Sequence, residues 1–401
     1  MQSKKVCLIT PGHISSNPRL IKEATSLSNA GYQVHIVFTQ YMEYLIAEDR
    51  KILDAHPNWT YDQLLWTPIN KTLKLKTAII QRFAKWINPI IKTTNLLINR
   101  NYVWQLKVAI KANADLYIAH NLGALPVAVN AAKKNQMKCG FDAEDFHRHE
   151  VTDNQNDADV RLKKSIEDEY LNKADYITTA SPLISEAYKQ LYQGLYPIVI
   201  NNVFEIKYQP EFNNNINSKL RLFWFSQTIG KNRGLEDVIK ALNQINNPLV
   251  ELHLLGNLAT EDANYFDKFA NFEIKYYEPI SADQIFKLAA KFDLGLALEL
   301  NTPINRDICL TNKIFTYLIA GLAIIASNTK AQHQFLEENK HIGELYPIGN
   351  VNALAHVISR LFNDRALLNN YRKNAYFLAK SKYNWEMEQQ KILTNINLVI
   401  N

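Results

Sequence analysis

The sequence predicts an α/β protein of two tandem domains, each a parallel sheet with helices on both faces. Short apolar runs alternate with helix-length amphipathic stretches, the signature of β/α units. A polar break at residues 205–219 (EIKYQPEFNNNINSK) interrupts the alternation, which then begins again. The length, 401 residues, suits two domains with an appendage.

The first series opens with an apolar run at Val6–Thr10, broken by Pro11-Gly12. Ser16 or Asn17 can cap a helix that has Pro18 at its first position, where a missing N–H costs nothing. That helix reaches about Ala30, Gly31 ends it, and Val34–Phe38 is the next strand. Strands are further expected at Leu116–Ala119, Lys138–Phe141, Tyr176–Thr179 and Ile198–Ile200, with a helix through Ala124–Ala132. The second series has expected strands at Leu222–Phe225, Leu252–Leu255, Ile274–Tyr277, Leu294–Leu298 and Ala323–Ala326. Helices begin at Leu235, near Ala263 and at Ala282, and another covers Lys313–Ala320. Two more lie between Val351 and Lys380, and an amphipathic helix over about Asn384–Ile400 closes the chain. Open sheets of this kind bind ligands at the carboxyl ends of their strands, so two such domains suit an enzyme with two substrates facing across a cleft.

Composition narrows the class. Apolar residues make up 47% and charged residues 21%, which excludes wholesale disorder. Cys7, Cys139 and Cys309 lie far apart with no Cys/His cluster, so neither a disulfide framework nor a structural zinc site is expected. The start MQSKKVCLIT lacks a signal-peptide core and no run of 18 apolar residues occurs, so the expectation is a soluble, cytoplasmic protein. Net charge is +6, and its placement is uneven. No acidic residue occurs over 63–114, a span that carries nine basic ones, Lys71, Lys74, Lys76, Arg82, Lys85, Lys92, Arg100, Lys107 and Lys111, interleaved with Trp66, Phe83, Trp86 and Trp104. A solvated helix face is the simplest account, but solubility favours mixed signs. Lysines among large apolar side chains suit an anionic membrane surface or a lipid-diphosphate acceptor. Nucleic acid is not expected, since no recognition motif accompanies the patch.

The most informative stretch is Asp293–Asn328, DLGLALELNTPINRDICLTNKIFTYLIAGLAIIASN. A buried strand ends at Leu298, Glu299 follows in a polar loop, and Thr311-Asn312-Lys313 opens a helix. The free N–H groups and positive dipole end of that helix suit an anion, and Lys313 adds a full charge. Gly12 lets a ligand approach the backbone of its loop.

This stretch resembles the donor-binding segment of glycosyltransferase family 4, whose members have the GT-B fold of two Rossmann-like domains. The resemblance extends over nearly the whole chain. PGHISSNPRLIKEATSLSNAGYQVHIV resembles the family's opening strand, glycine-containing loop and first helix, INNVFE its hinge, and WFSQTIGKNRGLEDVIKAL the first strand–loop–helix of the donor domain. The helix beginning YNWEMEQ is similar to the family's last helix, which crosses back onto the first domain. The resemblance thus implies an acceptor-side domain at 1–203, a donor domain at 204–382 and a crossing helix at 383–401. It implies retaining hexosyl transfer from a UDP- or GDP-linked sugar to a saccharide or lipid-linked saccharide, with no metal or other cofactor, in cell-surface polysaccharide or glycolipid synthesis.

By the same resemblance, Gln227, Gly230, Arg233, Thr311, Asn312 and Lys313 would bind the donor, along with Gly12. His120 would lie near the donor sugar and acceptor, and Glu299 would act at the sugar; with Arg233 these are the candidate catalytic residues. FDAEDFH (141–147) resembles the family's Tyr-Asp-x-His-Glu element, which makes Asp142, Glu144 and Asp145 acceptor-side candidates. There are departures. The second of the family's two glutamates is replaced by Thr316 and the first by Ile308, with Glu299 displaced to serve instead. The phosphate loop reads Gln227-Thr228 and Arg233-Gly234 where the family has Gly-Arg and Lys-Gly, and Lys231 stands where it can replace the missing cation. Asp157-Ala158-Asp159 matches a metal-binding DxD only superficially, because it lies in a polar loop (DNQNDAD) rather than after a strand. Two other classes stay open: a GT-B nucleotide-sugar 2-epimerase, which needs no acceptor platform, and a non-catalytic GT-B scaffold.

Overall fold

The computed structural model describes residues 3–68, 70–88, 92–214 and 218–401. The chain divides into two compact units, Met1–Ile200 with Gln389–Asn401, and Asn201–Glu388.

In the first unit the elements run β1 (Lys5–Ile9), α1 (Pro18–Asn29), β2 (Gln33–Gln40), α2 (Glu43–Ala55), β3 (Thr60–Leu65), α3 (Lys71–Ile87), α4 (Thr94–Ile98), α5 (Tyr102–Ala112), β4 (Leu116–His120), α6 (Leu125–Asn135), β5 (Lys138–Ala143), α7 (Ala158–Tyr170), β6 (Tyr176–Thr179), α8 (Pro182–Leu191) and β7 (Ile198–Val199). All strand pairings are parallel, in the order β3-β2-β1-β4-β5-β6-β7. The order reverses direction between β1 and β4, which opens a crevice at the carboxyl ends of these two strands. Val6 pairs with both Val34 and Leu116. β4 is buried from end to end, as expected for a strand with helices on both faces. Of the two capping candidates, Asn17 is the one used: its Oδ1 accepts from the Leu20 N–H at 3.0 Å. Such a cap contributes about 1 kcal/mol.

Residues 43–65, to which the sequence assigns no element, form α2 and the edge strand β3. β3 is half-exposed throughout, so no apolar face marks it in the sequence. The basic segment 63–114 holds α3, α4 and α5.

The second unit runs β8 (Leu220–Ile229), α9 (Leu235–Ile245), β9 (Val250–Leu258), α10 (Thr260–Phe269), β10 (Ile274–Tyr277), α11 (Ala282–Ala289), β11 (Leu294–Ala297), α12 (Ile304–Ile308), α13 (Asn312–Ala320), β12 (Ala323–Ser327), α14 (Lys330–Glu338), β13 (Gly343–Tyr346), α15 (Val351–Asn363) and α16 (Arg365–Ser381). The last helix, α17 (Trp385–Ile400), begins here, and its residues from Gln389 onward belong to the first unit. The sheet order is β10-β9-β8-β11-β12-β13, again parallel, with its reversal between β8 and β11. Trp224, Leu252, Leu296, Ile325 and Ile358 form part of one fully buried core. Gly321 ends α13 at φ +69°, the left-handed conformation a helix terminus favours.

Three further points refine the sequence reading. Gln227 and Thr228 lie within β8, beyond a register shift, and not in a loop. In the polar break, 206–208 form a 3-10 turn, and 215–217 lie outside the described residues. The INNVFE segment is tied to the start of α17, where the Trp385 N–H donates to the Phe204 carbonyl at 2.9 Å and Asn201 Nδ2 to Glu388 Oε1 at 2.8 Å.

Candidate functional site

In the second unit the candidate donor residues lie at the carboxyl ends of β8 and β11, on either side of the strand-order reversal. The turn after β8 starts at Gly230. Asn232 and Gly234 both have left-handed φ, +58° and +81°. A Cβ on Gly234 would come within 2.8 Å of Leu298 Cβ, so glycine is what lets this turn press against the residues following β11. Arg233 lies on the turn, half-buried, with Nη1 donating to Ser226 Oγ at 2.9 Å. Among the described residues no carboxylate pairs with it.

Across the reversal, Lys313 in the first turn of α13 donates from Nζ to Glu299 Oε1 at 2.7 Å. Burial alone would raise the Glu299 carboxyl; the charge and hydrogen bond of Lys313 outweigh it and hold the group below its ordinary value. Ser327 Oγ donates to the Glu299 carbonyl at 2.5 Å, and Gln332 Nε2 to Ser327 Oγ at 3.0 Å, which fixes the loop backbone. Thr311 is the N-cap of α13 but makes no capping bond, and its Oγ1 is buried without a hydrogen-bond partner. It is close enough to favour the Glu299 charge without an aligned bond. Asn312 is the first helical residue, so its N–H is among those no intrahelical carbonyl reaches. The charge expected of Lys313 is therefore balanced locally, and Arg233 is the uncompensated cation of the group. Lys231, expected as the second cation, is exposed, with its Nζ 4.4 Å from the centroid of the Tyr265 ring. Gln227 offers its carbonyl to Asn257 Nδ2 at 2.8 Å, and a Cβ on Gly230 would meet only Asp262 Oδ2, at 3.7 Å. Thr316 is buried within α13, and Ile308 is also buried.

In the first unit a cavity of about 480 Å³ opens at the carboxyl ends of β1 and β4. Gly12, Tyr41, Trp66, Arg100, Asn101 and Glu144 contribute to its lining. The Arg100 guanidinium lies 4.8 Å over the Trp66 ring. Asn101 is 4% exposed and its Oδ1 has no hydrogen-bond partner. Burial, helped by the nearby charges of Asp145 and Asp142, raises the Glu144 carboxyl. The Gly12 loop is held by its neighbour: His13 Nδ1 lies 2.6 Å from Asp49 Oδ2, and His13 Nε2 accepts the N–H groups of Tyr41 and Met42, each at 2.9 Å.

His120 and Asp142 differ from the sequence expectation of groups open to substrate. Arg19 grips Asp142 with two bonds, Nε to Oδ2 at 2.8 Å and Nη2 to Oδ1 at 2.6 Å, and Thr178 Oγ1 donates to Oδ1 at 2.7 Å. His120 is 1% exposed, with Nε2 3.0 Å from Glu23 Oε2 and Nδ1 3.4 Å from Asp142 Oδ2, ion-pair distances without full hydrogen-bond alignment. Burial would lower the imidazole, but the two carboxylates prevail and push it up to about 9. Asp142 is thus consumed by Arg19, and the residue that lines the cavity at this edge is Asn121, at φ +75°. Of the three acceptor-side candidates, the structure brings Glu144 together with Gly12; Asp145 is half-buried, its carbonyl accepting from Tyr188 Oη at 3.4 Å. Arg19 and Glu23 were not singled out in the sequence, although an Arg and a Glu four apart on the apolar stripe of Leu20, Ala24 and Leu27 were a usable signal. Trp66 and Arg100 carried only the basic-aromatic signal, and Asn101 none.

The Asp157-Ala158-Asp159 triplet starts a helix. Asp157 caps α7 by accepting from the Asp159 N–H at 2.8 Å, and Asp159 pairs with Lys163 at 3.0 Å. Among the described residues no group of three or more His, Cys, Asp or Glu is placed to hold a metal ion.

No protein-family model matches the chain, and no curated protein does. Solved structures match it over nearly its whole length. HepE of Anabaena in complex with UDP is 16% identical, covers 98% of this chain and 99% of its own, and has a TM-score of 0.69; the same protein was also crystallised with UDP-glucose. Sucrose-phosphate synthase of Thermosynechococcus elongatus is 15% identical with 98% of each chain covered and a TM-score of 0.70. A Listeria monocytogenes protein described as a candidate UDP-N-acetylglucosamine 2-epimerase is 14% identical, covers 99% of this chain and 96% of its own, and has a TM-score of 0.62. At these identities the likeness concerns fold, and the fold of this chain is GT-B, with two Rossmann-like units in tandem.

Proposed function

We propose that the protein is a retaining, metal-independent glycosyltransferase of the family 4 type. It would transfer a hexose from a UDP- or GDP-linked donor to a saccharide or lipid-linked saccharide, on the cytoplasmic side of a membrane, in cell-surface polysaccharide or glycolipid synthesis. The observation that carries this reading is Arg233, a cation without a carboxylate partner among the described residues, on the turn after β8, the strand that adjoins β11 at the strand-order reversal, with the amino end of α13 following β11 in the chain. A nucleotide diphosphate is the anion such donors fit, because guanidinium and free backbone N–H groups both match phosphate oxygens.

In this scheme Arg233 and the N–H groups at Thr311–Lys313 stabilise the charge that builds on the diphosphate as the glycosidic bond breaks. The Gln227–Gly230 backbone lines the same phosphates, and Gly12 leaves room for the donor beside the first unit's loop. Glu299, kept ionised by Lys313, accepts hydrogen bonds from sugar hydroxyls. The departing phosphate oxygen takes the acceptor's proton as the acceptor oxygen attacks the same face of the sugar, which retains configuration. The acceptor occupies the cavity of the first unit: Tyr41 and Trp66 offer ring faces to a sugar, Asn101 Oδ1 awaits a hydroxyl donor, and Glu144 orients the attacking group. His120, enclosed between Glu23 and Asp142, serves as a positioning residue for the Asn121 edge.

The epimerase reading is favoured by the Listeria neighbour, and the scaffold reading by Thr316 in place of the family glutamate. Thermal shift with UDP-glucose and GDP-mannose, followed by donor hydrolysis and transfer assays, separates the three. A transferase binds one donor and releases nucleoside diphosphate, retaining activity in EDTA. An epimerase interconverts UDP-N-acetylglucosamine with its 2-epimer, and a scaffold turns over nothing. Loss of transfer in EDTA with rescue by manganese would overturn metal independence.

A further inference from the structure

The apolar side chains of α3 point the wrong way for a helix serving only a protein core. Leu75, Ile79, Phe83 and Trp86 recur at every third or fourth position, which places them on one stripe, and they are 63%, 56%, 57% and 75% exposed. The face that packs inward carries Thr77 and Ala84, both buried. Exposed cations flank the stripe. Arg82 adjoins Ile79 and Trp86, with Lys74 and Lys85 farther round on the same side, while Lys76 adjoins Ile79 and Phe83 on the other. None of these four cations has an ion-pair partner among the described residues. Beside α3, a groove of about 620 Å³ is lined by Arg82, Lys85 and Asn88 and by Arg161 and Leu162 of α7; Asp159, also on its rim, is engaged by Lys163 at 3.0 Å.

We propose that this face of α3 docks on an anionic lipid bilayer. Phe83 and Trp86 would enter the headgroup boundary, and Lys74, Lys76, Arg82, Lys85 and Arg161 would meet lipid phosphates. A bulky apolar stripe between basic flanks is the form of a helix lying in the interfacial plane, and each cation near such a surface adds attraction. Charge decides against the other occupants. A second copy of the chain meeting this face about a two-fold axis would set like charges against each other, since no acidic residue occurs over 63–114. No helix among the described residues is long and apolar enough to cross a membrane, so attachment here is peripheral. Docking extends the lipid-linked acceptor reading but does not depend on it.

The test is sedimentation with vesicles of phosphatidylcholine alone or with about one-third phosphatidylglycerol, at low and high salt. The full chain should sediment about tenfold more with the anionic vesicles, and high salt should erode the difference. The exposed pair Phe83→Ser/Trp86→Ser, and separately Lys74→Gln/Arg82→Gln/Lys85→Gln, should each abolish it. Brominated lipid should quench the wild type's tryptophan fluorescence more than that of Trp86→Phe. Equal sedimentation with both vesicle types, none with either, wild-type sedimentation of the serine pair, or a lipid-free dimer that the serine pair dissolves would each overturn the proposal. The donor thermal shift, measured on the same variants, should be unchanged. Its absence in the wild type would count against the transferase reading and leave the docking result standing.

Discussion

Two sheets that share one strand order, apart from the extra edge strand β7 of the first, end in different electrostatics. At the carboxyl edge of the first, Arg19, Glu23, His120 and Asp142 are buried, and each has an opposite charge within 3.4 Å among the other three. At the corresponding edge of the second there is one ion pair, Lys313 with Glu299, and an arginine, Arg233, that donates to the Ser226 hydroxyl. A buried charge network with its partners in place has nothing left to offer a ligand and holds its surroundings in one arrangement. A guanidinium without a carboxylate partner is complete only when an anion arrives. The first edge therefore reads as a fixed platform and the second as a receptor.

The largest effect should come from opening the platform. Asp142→Ala leaves Arg19 and His120 facing an empty site, and breaking a buried pair from one side costs about 3–5 kcal/mol. A urea midpoint shift equivalent to less than about 1 kcal/mol would show that the network is not worth its burial.

Acid–base titration of stability comes next. A histidine ring releases its proton near 6.5 when unfolded and near 9 in the fold, so His120 binds the proton more tightly in the native state. Its contribution, on the order of 3 kcal/mol, is complete below pH 6.5 and is lost as pH rises through 9. In the second unit His253 behaves in the opposite sense. Burial pulls it down to about 4, so stability is lost there as pH falls from 6.5 through 4. Stability curves of wild type and His120→Gln between pH 6 and 9.5 should differ in slope; parallel curves would mean that folding does not change the proton affinity of His120.

On the receptor side, Arg233→Ala should leave the melting temperature unchanged and reduce kcat/KM roughly 10- to 150-fold, the equivalent of a charge-assisted contact worth about 1.5–3 kcal/mol. Transfer within a few-fold of wild type would remove Arg233 from the site. The smallest effect on turnover belongs to Gly12→Ala. The added methyl would meet Tyr41 Cε1 at an ordinary 3.5 Å, so stability should change by less than about 0.5 kcal/mol while the donor KM rises. An unchanged KM would place the ligand away from this loop.

The contrast between the edges was only half legible in the sequence. Strand–helix alternation, Asn17 with Pro18 and the glycine after α13 are local signals, and the structure contains the elements they mark. Arg233 and the start of α13 were likewise visible, because a turn before a helix is a local pattern. The commitment of Asp142 to Arg19 was not, since the partners are 123 residues apart and meet only when β5 and α1 pack. β3 and β13 escaped notice because neither has a strongly apolar face. The lysine charge at 313 was readable, but its neutralisation by Glu299 across a loop was not.

The division of α17 between the units bears on how the chain folds during synthesis. Ile392 and Ile396 are buried, and Gln389 Oε1 accepts from Ser26 Oγ of α1 at 2.9 Å, so this segment is part of the first unit's framework. A ribosome adds about 5–20 residues per second, so residues 201–388 separate the two parts of that unit by roughly ten to forty seconds. The first half to emerge is thus the last to be finished. Until Gln389 and its successors arrive, the surface on α1 that they cover stands open, and a chaperone that shields it has its longest opportunity at the amino-terminal half.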